Sequence, residues 1–541
     1  MKRKTILIAF LLSFALLLSA CGNAGNTNAS NSSAGNTAAA PAESADKPAA
    51  SDTSGGIKSS KDHLIYVITA DPANLDPQQS TLFGHHHVTR QMYETLVVRN
   101  QEGELVGCLA DEWEYLDDTT LVFKLKQGVK FHNGEELKAS DVLFSLRRAK
   151  EDGTTGSGQI SYVLVDKCYA IDDYTVAIVT DGPCAIQLYM LESSQISIFS
   201  EKGFKDNGGS FDTVSYGTGP YKLVSYTPGD SVEITAFEDY RIPGQPYIRD
   251  ITFRVISDTS SRAIEAETGG ADIVYQIGAS DIARVSENPK INLVSTLTSN
   301  STFITFNVND PVLQDIRVRK ALSYGIDRAT ALKMAYGDYG ALADDGIFSP
   351  GLDGRHPDMA KLIYEYNPEK AKELLAEAGY ADGLTVKIIC QNNDQMRMSF
   401  CEALQAQLAQ IGVKLELEFA ETSVWTQTVL QNKHQLAIYG FSATTGEVGR
   451  NLIRWLPGST DWGVAGWTND EFVETVNKAV ATMDPAERFD LYAKAQEIMM
   501  EDCILIPYWF KENNAALQKD VENFWICPTF ETVYLQEVYF K

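Results

Sequence analysis

Residues 384–419 read LTVKIICQNNDQMRMSFCEALQAQLAQIGVKLELEF, and this stretch decides the class of fold. Its first seven residues, LTVKIIC, have the pattern of a β-strand. Residues 400–412 have the apolar spacing of a helix, and residues 413–419 return to a strand pattern. The order strand, helix, strand predicts a βαβ unit, which favours a parallel sheet with a ligand crevice at the ends of its strands.

The same alternation of helix and strand signals continues on both sides of this unit. Asn367 is predicted to cap a helix that has Pro368 at its first position and stops at Gly379. Residues 484–487 (DPAE) combine a cap, a first-turn proline and a capping-box glutamate, so another helix is expected to follow. Residues 121–149 predict strand, turn, strand and helix in that order. The sequence therefore predicts an α/β body without internal repeats.

The length and charge of this body limit its possible domain organisation and its possible partners. Residues 61–541 are too many for one hydrophobic core, so two or three subdomains are expected. Without the first twenty residues the chain has 43 Lys and Arg against 72 Asp and Glu, a net charge of −29, which argues against nucleic acid or anionic lipid as partners of the body. The sequence contains no GxxxxGK[ST], HExxH or GxSxG motif, so no motif supports an enzyme, and no cofactor is expected.

The amino-terminal segment has the features of an export signal. Lys2, Arg3 and Lys4 precede an apolar run over residues 6–20, which is shorter than a membrane span and typical of a signal peptide. Residues 18–21 (LSAC) resemble the lipobox of bacterial lipoproteins, where the cysteine becomes the lipidated first residue. We therefore expect residues 1–20 to be removed and Cys21 to carry the lipid. An ordinary secretory peptide with a chance cysteine is the alternative.

Residues 21–60 are expected to form the lipidated Cys21 and a flexible tether. After the cysteine the segment is almost entirely small and polar, so it cannot bury enough surface to offset the entropy of ordering. A coil of this length spans roughly 35 Å. The body is therefore expected to stand on the outer face of the cytoplasmic membrane, at the cell surface or in the periplasm, with the lipid as its membrane contact.

Seven cysteines follow Cys21, and none forms a CxxC pair, so neither a zinc site nor a redox motif is indicated. Cys168 and Cys184 flank a strand-rich stretch and could be bridged in an exported protein. Alternatively, the cysteines are small buried hydrophobic residues.

Six segments of the body together resemble one protein family. The chain is similar to the family 5 extracellular solute-binding proteins, the receptors of ABC importers for dipeptides, oligopeptides, nickel and related solutes. The matching segments occur in the family's order over nearly all of residues 64–541: DPANLDPQQS (71–80), QMYETLV (91–97), residues 109–146, residues 217–240, IRVRKALSYGIDR (316–328) and GWTNDEF (466–472).

The resemblance implies an α/β, periplasmic-binding-protein-like fold of type II, with two large lobes around a cleft and a small inserted domain. The strands that cross between the lobes are expected near Asn300 and Lys511. Carried onto this chain, domain I takes residues 61–84, 216–298 and 512–541, domain II takes residues 85–215, and domain III takes residues 299–511.

The implied function is capture of a solute and delivery to the permease subunits of an ABC importer, by a receptor that is a monomer and not an enzyme. A peptide or peptide-like solute is the first hypothesis. Receptors for a metal chelate or another non-peptide solute, and a surface enzyme acting on cell-wall peptides, are the alternatives.

The expected ligand contacts centre on residues 440–452, GFSATTGEVGRNL. Peptide-binding members carry GWxADYPDP here, and their first Asp pairs with the ligand's amino group. Thr444 stands at that position, and Thr444 and Thr445 belong to TTGE, which is similar to the STGE of glutathione-binding members. Glu447 then becomes the candidate for the ligand's amine and Arg450 for a carboxylate. Alternatively, both are solvated loop charges.

His85, His86 and His87 follow Gly84, and His85 and His86 are expected to reach the ligand. Imidazole also suits nickel or zinc. Adjacent side chains on a helix point about 100° apart, which favours a polar helix start over a metal site.

Aromatic residues are the last candidates, as apolar walls for a peptide's side chains. Packing in the hydrophobic core is the alternative role. The expected ligand contacts are Trp425, Tyr439 and Trp467, with Trp462 considered beside them.

Overall fold

The computed structural model of the protein describes residues 59–79, 83–151, 154–443, 445–459, 461–529 and 532–541. Cys21, the signal segment and nearly all of the expected tether lie outside these residues, and so does Thr444.

The strands of the body lie mostly in one large sheet. In chain order they are β1 (His63–Ile68), β2 (Val97–Arg99), β3 (Leu105–Gly107), β4 (Ala110–Asp117), β5 (Thr120–Leu125), β6 (Tyr169–Asp172), β7 (Thr175–Val179), β8 (Tyr221–Thr227), β9 (Ser231–Ala236), β10 (Asp250–Val255), β11 (Ile273–Tyr275), β12 (Ile291–Phe306), β13 (Ala341–Leu342), β14 (Leu384–Gln391), β15 (Val413–Ala420), β16 (Leu436–Ser442), β17 (Leu505–Gln518), β18 (Val521–Glu522) and β19 (Tyr539–Phe540).

The described part of the chain has fifteen α-helices. They are α1 (Phe83–Thr89), α2 (Ala139–Ala149), α3 (Gln187–Met190), α4 (Glu201–Asp206), α5 (Thr259–Thr268), α6 (Ala279–Ser286), α7 (Ile316–Tyr324), α8 (Arg328–Tyr336), α9 (Pro368–Glu377), α10 (Gln395–Ala409), α11 (Thr422–Leu430), α12 (Gly449–Ile453), α13 (Trp462–Ala465), α14 (Asp470–Ala481) and α15 (Pro485–Glu501), with 3-10 turns at Gly156–Gly158, Ser194–Ile196 and Met359–Leu362.

The eleven-stranded sheet has two halves, joined by two long strands. Along its main path the order is β15-β14-β16-β12-β17-β11-β1-β10-β9-β8, and β13 pairs with β17 beside this path. We call the part around β1 and β8–β11 lobe 1, and the part around β14–β16 lobe 2. Strands β12 and β17 run through both lobes, because β17 pairs with β11 in lobe 1 and β12 pairs with β16 in lobe 2.

The ladder between β12 and β17 is interrupted where the chain passes from one lobe to the other. Its register shifts between Leu297 and Ser301, opposite Glu512 and Phe510. A shift of this kind leaves residues unpaired and bends the strand locally. The two long strands are therefore least regular at the junction of the lobes.

A third part of the chain has a sheet of its own. Strands β4-β5-β7-β6 form a four-stranded antiparallel sheet packed on α2, and the associated hydrophobic cluster runs from Leu96 to Ile198. We call residues 96–198 the inserted unit, because this segment lies between β1 and β8 in the chain.

The βαβ unit quoted at the start is present as β14, α10 and β15, with both strands parallel. Strand β14 buries Leu384, Val386 and Ile388 and exposes Thr385 and Lys387 between them, the period-two pattern of a strand. Helix α10 begins at Gln395, five residues before the predicted start, because the Asp394 carboxylate accepts a hydrogen bond from the backbone N–H of Arg397 and caps it.

The seven cysteines in the described part of the chain are all free and buried. The bridge considered between Cys168 and Cys184 is therefore not formed, and these side chains pack as small hydrophobic groups.

Within the described residues, the helices are all too short or too polar to cross a membrane.

Candidate functional site

Both lobes present the carboxyl ends of parallel strands to one region. In lobe 1, β1 runs parallel to β10 and β11, and in lobe 2, β14 runs parallel to β15 and β16. The loops that follow such strands are the usual ligand-binding edge of an α/β sheet.

A cavity of about 820 Å³ lies between these two sets of loops, beside the junction of the lobes. Residues 276–280 and the start of α5 line it from lobe 1, residues 391–397 together with Tyr339 and Trp509 line it from lobe 2, and Asn300 and Lys511 line it on the crossing strands. We call it the inter-lobe cavity. Its size lies within the range of small-molecule sites, about 300–1,000 Å³.

The lobe 1 wall of this cavity is fixed by a buried arginine. Arg262 donates from Nε to the carbonyl of Gln276 at 2.9 Å, and from Nη1 to the carbonyls of Ile256 at 3.0 Å and Ser257 at 2.8 Å. These bonds tie together the loops after β10 and β11. Arg262 therefore shapes the wall.

The lobe 2 wall carries a carboxylate beside a guanidinium. Arg397 donates from Nη1 to the Gln391 side-chain oxygen at 3.0 Å, and its Nε lies 3.2 Å from the Asp394 carboxylate. Residues 391–397 were not among the predicted ligand contacts, although they follow the first strand of the βαβ unit, where a crevice is expected.

Glu447, the residue predicted to meet the ligand's amine, has close partners within lobe 2. Its side chain is 1% exposed, and its two oxygens accept hydrogen bonds from Nε and Nη2 of Arg488, each at 3.1 Å, and a further one from the Tyr492 hydroxyl. Burial raises the pKa of Glu447, and the charge of Arg488 opposes that rise. An incoming ammonium would have to compete with Arg488, so contact between Glu447 and a solute stays a prediction.

Arg450, predicted to meet a carboxylate, is placed differently. It lies near Gly158 and Tyr162 of the inserted unit, and in the described part of the chain no carboxylate lies within ion-pair distance of it and its Nε has no hydrogen-bond partner. Burial, and then the nearby Arg454, lower the pKa of Arg450. This guanidinium is therefore available to an anionic group.

Thr445, Trp425, Tyr439 and Trp467 are all buried in lobe 2, whereas Trp462 is partly exposed. The Thr445 hydroxyl donates to the carbonyl of Glu447 at 2.9 Å. Trp425 stacks on Tyr439 with ring centres 5.7 Å apart, and the Trp425 indole N–H has no partner among the described residues. The Trp467 indole donates to the Asp502 carboxylate at 2.8 Å, so this ring belongs to the packing of lobe 2.

The three histidines are buried at the start of α1 and next to the inserted unit. His85 Nε2 lies 2.9 Å from the carbonyl of Asp76, and His86 Nδ1 lies 2.9 Å from the hydroxyl of Ser194. Burial lowers the pKa of His85 to about 4, so its ring is neutral at pH 7. Throughout the described ranges, no three His, Cys, Asp or Glu side chains are grouped so that they could hold a metal ion.

A second cavity, of about 370 Å³, is lined by the inserted unit and lobe 1, for example by Arg90, Arg99, Arg241 and Trp525. None of the described residues of lobe 2 lines it. The inter-lobe cavity is therefore the stronger candidate for a site that depends on both lobes.

A large mixed sheet divided into two lobes, with a cavity between their strand ends, defines the class of type II periplasmic binding proteins. Residues 104–462 match the family described as bacterial extracellular solute-binding proteins, family 5 Middle. The chain belongs to this family.

Comparison with known proteins agrees with this assignment. The glutathione-binding protein GsiB of Escherichia coli K12 is 28% identical over 489 residues, which cover 87% of this chain and 94% of that protein. HbpA2 from Haemophilus parasuis superposes with a TM-score of 0.78 at 26% identity, over 88% of this chain and 100% of the other. The substrate-binding protein CtaP of Listeria monocytogenes shares the fold with a TM-score of 0.80 at 23% identity, over 89% and 99% of the two chains.

The protein is therefore a solute-binding protein and not an enzyme, because its family and its relatives are binding proteins.

Proposed function

We propose that this protein is the lipid-anchored receptor of an ABC importer, which captures a peptide or peptide-like solute between its two lobes and delivers it to the permease. The observation that carries the proposal is the inter-lobe cavity, because residues of both lobes and both crossing strands line it. We also propose the predicted division of the chain into domains I, II and III. The two lobes would move relative to each other by bending of strands β12 and β17 near Asn300 and Lys511, where their ladder is irregular.

The lining of the cavity favours a peptide over an apolar solute. Side-chain amides both donate and accept hydrogen bonds, as the backbone of a peptide requires. Tyr339 and Trp509 add aromatic surface for side chains. The similarity to a glutathione-binding protein points to the same class of solute. The amides that line the cavity are those of Gln276, Asn300, Gln391, Asn393 and Gln395.

Charged groups are proposed for the two ends of the solute. Arg450 is not among the residues that line the inter-lobe cavity, but it stays the candidate for a carboxylate on the side next to the inserted unit, since its Nε lacks a partner among the described residues. For the amino end Glu447 stays the predicted candidate, although Arg488 already pairs with it. Asp394 is a second candidate, because it lines the cavity and is partly exposed even while it pairs with Arg397. The other predicted contacts of the solute stay proposals: Thr444, Thr445, Glu447, His85, His86, Trp425, Tyr439 and Trp467.

The variant Asp394→Asn tests the assignment of Asp394 to the amino end. Asparagine still caps α10, so stability is expected to change little, whereas the loss of one charge-assisted hydrogen bond should weaken binding of the solute about tenfold. The solute is first identified by native mass spectrometry of gently purified protein, and affinity is then measured by calorimetry. Asp327→Asn, which changes the cap of α8 away from the cavity, is the matched control.

Capture of the solute between the lobes is also tested by measuring stability and compactness with and without the solute. Solute at a hundred times its dissociation constant should stabilise the protein by about 2.7 kcal/mol, and small-angle scattering should show a more compact particle. Binding without compaction would contradict capture by closure. A neutral solute or a metal chelate in the mass spectrum would instead favour a non-peptide receptor.

Lipid anchoring is tested at Cys21. The variant Cys21→Ala should not incorporate labelled palmitate and should leave the membrane fraction, because residues 1–20 alone are too short to anchor the body. Cys168→Ala, which changes a cysteine of the body, is the control and should stay in the membrane. Equal membrane retention of the Cys21→Ala variant and the parent would refute the anchor.

A further inference from the structure

The inserted unit touches the lobe 2 loop that contains Glu447. The backbone N–H of Gly446 donates a hydrogen bond of 2.7 Å to Oε1 of Glu192, a residue near the end of the inserted unit. Residue Glu192 is 2% exposed. This contact joins parts of the molecule that have separate sheets and are 254 residues apart in the chain.

A buried arginine of the inserted unit holds Glu192 in place. Arg99 donates from Nε to the second carboxylate oxygen of Glu192 at 3.0 Å, and its Nη1 donates to the carbonyl of Gly103. The same Nη1 lies 3.5 Å from the carboxylate of Asp353 in lobe 2, whose side chain is 48% exposed. Arg99 therefore bridges a carboxylate on each side of the boundary.

On the lobe 2 side, Asp353 and the loop form one hydrogen-bonded segment. The N–H of Asp353 donates to the carbonyl of Gly446 at 2.8 Å, and the N–H of Val448 donates to the carbonyl of Asp353 at 3.0 Å. Glu192 therefore contacts this segment at Gly446, and Arg99 contacts it at Asp353.

The close approach explains why residue 446 is glycine. A Cβ atom built on Gly446 would overlap the guanidinium of Arg99. The backbone φ here is not in the left-handed region, so the requirement is for space and not for an unusual conformation.

We propose that Glu192 and Arg99 are positioning residues of the solute site, which hold residues 445–448 when lobe 2 closes against the inserted unit. This inference rests on the proposed function, since it assumes that solute is held by closure of the lobes. In this proposal the inserted unit helps to keep the solute bound between the lobes. Because the contacts exist only when the two parts meet, their loss should speed opening, and so raise the dissociation rate of the solute more than it lowers the association rate.

The test is a graded series of variants. Glutamine at position 192 still accepts the Gly446 N–H but cannot pair with the charge of Arg99, whereas alanine loses both contacts. We therefore expect the dissociation rate of the identified solute, measured by stopped-flow, to rise about 3-fold in Glu192→Gln and about 10- to 100-fold in Glu192→Ala, with association within 3-fold of the parent. Gly446→Ala should resemble Glu192→Ala. Glu104→Gln, on the exposed hairpin of the inserted unit, is the control.

Hydrogen exchange gives a readout that does not need a solute. The amide of Gly446 should exchange faster in Glu192→Ala than in the parent protein, while amides of β14 in lobe 2 remain unchanged. Unchanged dissociation rates and unchanged exchange at Gly446 in folded variants would overturn the inference. A parent protein that binds no peptide would refute the proposed function instead, while the exchange experiment would still decide whether Glu192 holds the loop.

Discussion

Replacing Glu447 with glutamine is expected to lower the free energy of unfolding by about 3–5 kcal/mol. The substitution removes the negative partner of Arg488, whose buried guanidinium donates hydrogen bonds to both carboxylate oxygens of Glu447. A buried cation without a counter-charge is the costly state, and Tyr492 cannot supply the missing charge. Urea denaturation of the purified protein measures the loss.

Glu471→Gln is the matched control for this experiment, because Glu471 forms an exposed ion pair with Lys494 at 3.4 Å. It should cost less than about 1 kcal/mol. Equal losses in both variants would contradict a structural role for Glu447. If stability is retained and affinity for a cationic solute falls sharply, the predicted contact with the solute's amine is supported instead.

Phe303→Ala is expected to cost about 3–5 kcal/mol, as large-to-small changes of buried aromatic residues do. Phe303 lies on β12 with 0% exposure, and its ring centre lies 5.8 Å from Tyr439, 5.5 Å from Phe441 and 5.8 Å from Trp455. Its removal leaves a cavity among three aromatic rings. The loss is measured from the midpoint and slope of urea unfolding.

Phe419→Ala is the control, because Phe419 lies on β15 of the same sheet but is 38% exposed. We expect it to cost less than about 1 kcal/mol. A loss as small as this in Phe303→Ala would show that the aromatic cluster is not a stabilising core of lobe 2.

The fold could be predicted from local pattern, because a βαβ unit shows in the spacing of its apolar residues. Strands β14 and β15, with a helix between them, lie where the pattern of residues 384–419 predicts them. The two-lobe architecture was predicted from the resemblance to the family. The predicted start of α10 was wrong by five residues, because the prediction did not include Asp394 as the cap of this helix.

The site could be predicted less well, because its partners are distant in the sequence. The stretch 440–452 was singled out, yet nothing near Glu447 in the chain indicates that Arg488 and Tyr492 bind it, or that Glu192 accepts a hydrogen bond from Gly446. Pairings of this kind depend on how helix α15 and the inserted unit pack against the loop. Sequence spacing carries no signal for them.

The free cysteines have a consequence for the chemistry that this receptor can tolerate. Burial raises the pKa of the Cys108 and Cys503 thiols to about 11 and that of Cys184 to about 12. Since the thiolate is the form that attacks a disulfide, these side chains are both unreactive and out of reach at neutral pH. At these three positions a solute with its own thiol or disulfide would therefore meet no accessible thiolate to which it could become covalently attached.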